Sequence, residues 1–266
     1  MKHGFVAFAL ALTAGLLPAQ EPLRLFTWER GIGFEAPEKE GMRVYLWFYE
    51  WNMFDAMLPG QHTRGMWDNE VTVEPDRQSA RVTSGFPGLS VEAQAVDDGA
   101  DLMLTVTNRS EHDWPPLASI IACFNPGPEE TRNAAFANEQ TYFVSAKGLH
   151  PLTIRAPREI HFNDALRDAV NAQATDGQFV WSEKWPMSDL NATAGLIVRE
   201  SNDRTWVTGI TWERFLSAQG HNPWECMHLA VRVGPLAVGE TRKVRGKIYL
   251  FEGTQEDLWE RYQGDF

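Results

Sequence analysis

Hydrophobic and polar residues alternate with a period of two over many short stretches of the chain, whereas helical periodicity is rare. A period of two places alternate side chains on one face of a β-strand, so each stretch predicts a strand with one buried face. Turn residues such as Pro87-Gly88 and Asp97-Asp98-Gly99 separate several of them. The predicted strands are residues 23–28, 42–51, 70–73, 79–83, 89–96, 101–107, 117–124, 141–145, 179–182, 194–198, 205–211, 226–233 and 242–251.

Two segments have helical character instead. Residues 163–174 contain good helix formers, start with Asn163 and Asp164, and are followed by Gly177. Near the C-terminus, Thr254 and Asp257 resemble a capping box, and Leu258, Trp259 and Tyr262 form an apolar stripe. Many short strands with one or two short helices predict an all-β fold, a large antiparallel β-sandwich. No linker or repeat divides the chain, so we expect a single domain over residues 21–266.

The first 20 residues have the pattern of a secretory signal peptide. Lys2 precedes an apolar run from Phe5 to Leu17, and Ala19 supplies a small residue for cleavage. The run is too short to span a bilayer, and no later stretch is long and apolar enough to do so. The sequence therefore predicts a secreted or periplasmic protein without a membrane span.

Charge and missing motifs exclude several functions. The 266-residue chain has a formal net charge of −12, which disfavours binding to phosphate backbones, so nucleic acid is not an expected partner. It contains no P-loop, no GxGxxG after a strand, no GxSxG, no HExxH and no CxxC pair. No cofactor is expected, and the sequence does not fix the oligomeric state.

The stretch from Thr205 to Leu236 is the best site candidate. Polar and aromatic residues are concentrated in it, and strand-like alternation flanks it, which predicts a loop over residues 211–225 held between two strands. Tryptophan, of which the chain has 11, offers a flat apolar face and one N–H donor, as sugar recognition requires. We predict that Trp212 and Trp224 lie at the mouth of a cleft, although large aromatic residues equally fill sandwich cores. The predicted substrate-binding residues are Trp212, Arg214, Gln219, Asn222 and Trp224 from this stretch, with Glu50 and His62 from a second polar-aromatic cluster.

His221, Glu225 and His228 are the candidate catalytic residues. Histidine titrates near neutral pH and a carboxylate can orient it, so the three residues suit proton transfer. The same groups are metal ligands, but a site would need a further ligand such as His62, and no metal is predicted. The alternative is that His228 is a core histidine and His221 a loop residue.

The chain has two cysteines, Cys123 and Cys226, each in a strand-like apolar run. In an exported protein two thiols can pair as a disulfide, and the alternative is two buried, inert thiols.

Two regions resemble the aldose-1-epimerase, or galactose mutarotase-like, family. Leu104–Asn125 is similar to a strand, turn and Pro-led strand that end in a His-x-Tyr-Phe-Asn motif, and Pro235–Phe251 is similar to the family's closing turn and final strand. Phe124 and Asn125 match the motif, but Ile121 and Cys123 stand in place of its histidine and tyrosine. The resemblance implies a supersandwich fold and sugar chemistry, with a catalytic glutamate in the region of Glu225. Ring opening needs an acid, which the motif of this chain lacks.

These observations predict a secreted carbohydrate-handling protein. An enzyme that acts on a sugar by acid/base chemistry, a non-catalytic carbohydrate-binding protein and an interaction protein of the cell envelope all remain open.

Overall fold

The computed structural model describes residues 21–50, 68–85, 88–125, 134–152, 158–175, 186–221 and 224–266. Within them the chain forms sixteen β-strands and two α-helices. The strands are β1 Arg24–Trp28, β2 Gly31–Glu35, β3 Arg43–Glu50, β4 Asn69–Val73, β5 Ser79–Ser84, β6 Leu89–Val96, β7 Gly99–Thr107, β8 Ser119–Asn125, β9 Phe136–Ser145, β10 Gly148–Pro151, β11 His161–Phe162, β12 Leu196–Ser201, β13 Trp206–Trp212, β14 Phe215–Gln219, β15 Met227–Arg232 and β16 Thr241–Glu252. The helices are α1 Arg167–Thr175 and α2 Gln255–Asp265.

The strands form two antiparallel sheets. The seven-stranded sheet has the order β1-β2-β3-β8-β15-β14-β11, and the nine-stranded sheet has the order β10-β9-β12-β13-β16-β7-β6-β5-β4. The largest apolar cluster draws side chains from both, including Phe124 and Leu229 from the first sheet and Ile197 and Ile248 from the second. The predicted all-β antiparallel sandwich is confirmed. None of the helices in these residue ranges is long and apolar enough to cross a membrane.

Each sheet also carries a smaller cluster on its outer face. On the seven-stranded sheet, Ile121 and Ala230 pack against Phe162 and against Val170 of α1. On the nine-stranded sheet, α2 buries Leu258 among residues that include Val207 and Phe251. Each helix thus covers part of the outer face of one sheet.

Both predicted helices exist. The side-chain oxygen of Asn163 accepts a hydrogen bond from the backbone N–H of Ala165, and a short 3-10 turn there leads into α1. Thr254 and Asp257 form the expected capping box at the start of α2.

The prediction of a loop over residues 211–225 is largely wrong. β13 continues to Trp212, the chain crosses from the nine-stranded to the seven-stranded sheet at Glu213 and Arg214, and β14 follows with every residue buried. Phe215 and Ala218 contribute to the core between the sheets, whereas Leu216 packs in the cluster beneath α1. Burial on both faces removes the alternation by which a strand is recognised.

Three further strands, β2, β10 and β11, have no counterpart among the predicted ones. β2 was missed because the glycines of its sequence, GIGFE, resemble a turn. Gly33 instead makes space for an aromatic ring, since a Cβ atom there would lie 2.2 Å from the ring of Phe26. The predicted strand at 179–182 lies outside the described residues.

Candidate functional site

The outer face of the seven-stranded sheet carries a row of aromatic and polar side chains. Leu46, Phe124 and Leu229 face the core, so their strand neighbours Trp47, Cys123 and His228 face outward. The register aligns these neighbours directly, since Trp47 is opposite Cys123, Cys123 opposite His228, and His228 opposite Gln219. We call Trp47, Cys123, His228 and Gln219 the central row.

At one end the central row joins an aromatic strip, which consists of Phe26, Trp28, Tyr45 and Trp47. The rings of Trp28 and Trp47 are stacked with centroids 4.5 Å apart, and those of Trp28 and Tyr45 are 4.2 Å apart. Phe26 meets Tyr45 edge to face at 5.9 Å. Tyr45 is buried, whereas Phe26, Trp28 and Trp47 are partly exposed. The strip is therefore a surface on which flat apolar rings are accessible to a ligand.

Gly31 and Gly33 are the reason why these rings lie close to the sheet. A Cβ atom on Gly31 would be 2.6 Å from the indole of Trp47, and one on Gly33 would be 2.2 Å from the ring of Phe26. Any larger residue would push the rings away from the backbone. The glycines thus shape the strip and do not mark a turn.

At the other end of the central row, a hydrogen-bond chain fixes the tautomer of His228. The side-chain Nε2 of Gln219 donates to the backbone oxygen of Arg158 at 2.9 Å, which leaves Oε1 of Gln219 as the acceptor. Oε1 lies 2.8 Å from Nδ1 of His228, so Nδ1 carries the proton. In the neutral imidazole Nε2 then holds the lone pair, ready for a proton or a metal ion.

Cys123, Cys226 and His228 form a buried cluster. One ligand atom of each residue lies within 4.8 Å of those of the other two. Both cysteines are thiols in this structure. Of the two alternatives drawn from the sequence, the structure has buried thiols, but it brings them together with a histidine.

Arg199 reaches the residue before Cys226 from the core side. Its guanidinium group is completely buried and donates to Oγ1 of Thr141, Oδ1 of Asn138 and the backbone oxygen of Glu225. Burial lowers the pKa of Arg199 to about 10, while Cys226 and then Glu225 oppose that shift through their charge.

The predicted catalytic residues lie at the same end of the sheet. His228 is buried, and His221 and Glu225 are partly buried. The backbone oxygen of His221 accepts from the N–H of Arg158, the residue whose own carbonyl holds Gln219. His221 and Glu225 both have a positive φ, at 50° and 59°, which is uncommon for residues other than glycine. Two predicted site residues thus have this uncommon backbone conformation in the segment that joins β14 and β15.

The structure separates the two predicted cleft tryptophans. Trp224 is 46% exposed, with the guanidinium of Arg158 4.8 Å from its ring centroid. Trp212 is 1% exposed and belongs to the core, where its ring packs on Gly246, so its placement at a cleft mouth is wrong. Trp212 ends a strand of the nine-stranded sheet with its side chain between the sheets, which the sequence pattern does not reveal.

Arg214 is not part of this grouping. It precedes β14, whereas Gln219 ends it, and five residues of a strand extend over roughly 17 Å. Its guanidinium donates to the backbone oxygens of Arg232 and Gly234. Gln219, also predicted to bind substrate, is buried at 2% exposure, and its side chain contacts His228.

The structure does not describe the side chains of three predicted site residues. Asn222 and His62 lie outside the described residues, and Glu50 ends β3 with a side chain that is not described. Sequence reasoning did not assign a site role to Trp28, Trp47 or Arg199, or treat the cysteines as partners of His228. The signal for the aromatic strip was the pair of glycines two residues apart beside alternating aromatic residues.

A separate cavity of about 1150 Å³ lies on the outer face of the nine-stranded sheet. Lys247 and Asp98 form an ion pair of 2.9 Å in it, and Asp265 binds the same lysine at 2.8 Å. Lys247, Asp98 and Asp265 are thus paired with one another, and the cavity is separate from the central row because it opens on the other sheet.

The chain matches no family model and no curated protein. Solved structures similar to it include a galactose mutarotase-like protein from Lactobacillus casei, with 11% identity over 86% of this chain and 100% of that one and a TM-score of 0.39. A galactose mutarotase related enzyme from Lactobacillus acidophilus has 9% identity over 88% and 98% of the chains, with a TM-score of 0.39. A putative aldose 1-epimerase from Escherichia coli K12 has 10% identity over 86% and 79%, with a TM-score of 0.35. The resemblance noted in the sequence is confirmed as a weak one.

Proposed function

We propose that this protein binds carbohydrate on the outer face of the seven-stranded sheet. The observation that carries the proposal is that the aromatic strip and the polar side chains of His228 and Gln219 lie along one row on the same face of the sheet. A pyranose ring presents an apolar C–H face, which suits stacking on Trp28 and Trp47, and hydroxyl groups, which suit side chains such as His228.

Charge supports a neutral ligand. The chain has a net charge of −12, so acidic polymers and phosphate-rich partners are repelled. Partly exposed tryptophans on a sheet face that ends at the partly exposed His221 and Glu225 provide the mixed surface that small-molecule sites use.

Acid/base chemistry on the sugar is the second candidate function. The fixed tautomer of His228 favours it, because Nε2 carries the lone pair that a general base requires. The candidate partner is the carboxylate of Glu225. Its charge acts on Arg199 and raises the pKa of that residue. The motif positions occupied by Ile121 and Cys123 favour binding without catalysis.

A glycan screen followed by calorimetric titration tests the first proposal. We expect Trp28→Ala and Trp47→Ala each to weaken binding of the best glycan at least tenfold, which corresponds to about 1.4 kcal/mol. Trp259→Ala is the matched control, since Trp259 packs on the opposite outer face with α2. Equal binding by all three variants, or no glycan bound by the wild type, would contradict the proposal.

The same glycan serves to decide between binding and catalysis. If the protein acts on it, wild type should change its anomeric or covalent state at a measurable rate, and His228→Gln should abolish that rate. Binding without any turnover would rule out the second candidate and leave the first intact.

A further inference from the structure

We propose that Cys123, Cys226 and His228 bind a thiophilic metal ion, and that zinc is the ion that suits them best. Two thiolates and an imidazole are soft and borderline ligands, which select zinc or copper(I) over magnesium or calcium. The proposal rests on this buried cluster and does not depend on carbohydrate binding.

The spacing of the ligand atoms fits a tetrahedral ion. They lie within 4.8 Å of one another. In a tetrahedral site with Zn–S bonds of about 2.3 Å, two thiolate sulfurs are about 3.8 Å apart. Shifts of about 1 Å or less in the ligand atoms would therefore bring them to tetrahedral spacing.

The tautomer of His228 is already one that suits a metal ligand. Ligating histidines donate their second ring N–H to an oxygen, which fixes the tautomer and turns the lone pair toward the ion. Gln219 accepts from Nδ1 of His228 and is itself held by the carbonyl of Arg158. The hydrogen bonds that would hold His228 as a metal ligand are thus already present without the ion.

Burial and charge also favour this site. Cys123, Cys226 and His228 are 0%, 5% and 6% exposed, so isolated thiolates would be costly there. Two thiolates with one divalent ion and a neutral imidazole have no net charge, which removes that cost.

The same cysteines are not joined as a disulfide in this structure, where both are thiols. Cys123 lies in β8 directly opposite His228, whereas Cys226 lies one residue before β15 begins. A metal ion with a bond to each sulfur would join the two side chains without oxidising them.

Three protein ligands leave one position of a tetrahedral ion open, as in catalytic zinc sites. Trp47 is the cross-strand neighbour of Cys123, so the ion would lie beside the aromatic strip. Metal binding would use the lone pair of Nε2, so His228 cannot be both a metal ligand and a general base.

Titration of reduced, metal-free protein with zinc chloride tests the proposal, with bound zinc measured by competition against a chromophoric chelator. We expect one equivalent of zinc per chain, release of protons, and protection of both thiols from alkylation. With cobalt(II) in place of zinc, the wild-type protein should show thiolate-to-cobalt charge transfer and the intense visible bands of a tetrahedral site. Absence of these bands would overturn the proposal even if no variant folds.

Variants locate the ion. Cys123→Ser and Cys226→Ser should each lower zinc affinity at least a hundredfold, and Gln219→Leu should lower it about 10- to 100-fold by releasing His228. Ile121→Val is the matched control, since Ile121 lies on the same strand face as Cys123 but has no ligand atom, and its affinity should be unchanged. Zinc bound equally by both serine variants, or a wild-type mass two hydrogens lower with no reactive thiol, would overturn the assignment in favour of a surface site or a disulfide.

Discussion

At the residue scale, Trp212 and Trp224 show how neighbouring tryptophans take opposite roles. Trp212 packs at 1% exposure between the sheets, while Trp224 is 46% exposed in the turn before β15. We expect Trp212→Ala to lower the free energy of unfolding by about 3–5 kcal/mol. Trp224→Ala should cost only about 0.5–1 kcal/mol, the value of its cation–π contact with Arg158. Urea unfolding of both variants is the measurement, and equal losses would refute the burial assigned to these rings.

The sequence could identify His228 and Gln219 as site candidates, but not that Cys123 lies beside His228. Cys123 is 105 positions from His228 and reaches it only through the pairing of β8 with β15. Register between distant strands is set by the packing of the whole sheet, so no local pattern reveals it. Arg199 was missed for the same reason, because it reaches Glu225 from the other sheet.

At the element scale, local signals predicted what depends on local contacts. The capping box at Thr254 and the apolar stripe of α2 depend on residues three or four apart, and both were readable. Most strands with one buried face were also found. β14 and β2 were not found. β14 is buried on both faces and therefore lacks alternation, and β2 contains two glycines that resemble a turn but make space for aromatic rings.

The cap of α2 gives a prediction at this scale. Oγ1 of Thr254 accepts from the N–H of Asp257, whose carboxylate accepts from the N–H of Thr254. Thr254→Ala should lower the free energy of unfolding by about 1 kcal/mol. Gln263→Ala, an exposed change in the same helix, should leave it nearly unaltered. Chemical denaturation of the two variants compares them directly, and a loss no larger than that of the control would argue against the cap.

At the scale of the whole molecule, the two sheets share one core. Phe124 and Leu229 pack in the same cluster as Ile197 and Ile248, so neither sheet can lose its partner without exposing apolar surface. We therefore expect a single cooperative thermal transition, with calorimetric and van't Hoff enthalpies equal. Two resolved transitions in differential scanning calorimetry would show that the chain is not the single domain predicted over residues 21–266.

The central claim is that the outer face of the seven-stranded sheet is the binding surface. A crystal structure with the glycan that the screen identifies tests it most directly, because the protein offers a competing cavity on the other sheet. We predict that a sugar ring stacks on Trp28 and Trp47 with its hydroxyl groups toward His228. A glycan bound beside Lys247 and Asp265 on the nine-stranded sheet, with the aromatic strip empty, would contradict the account.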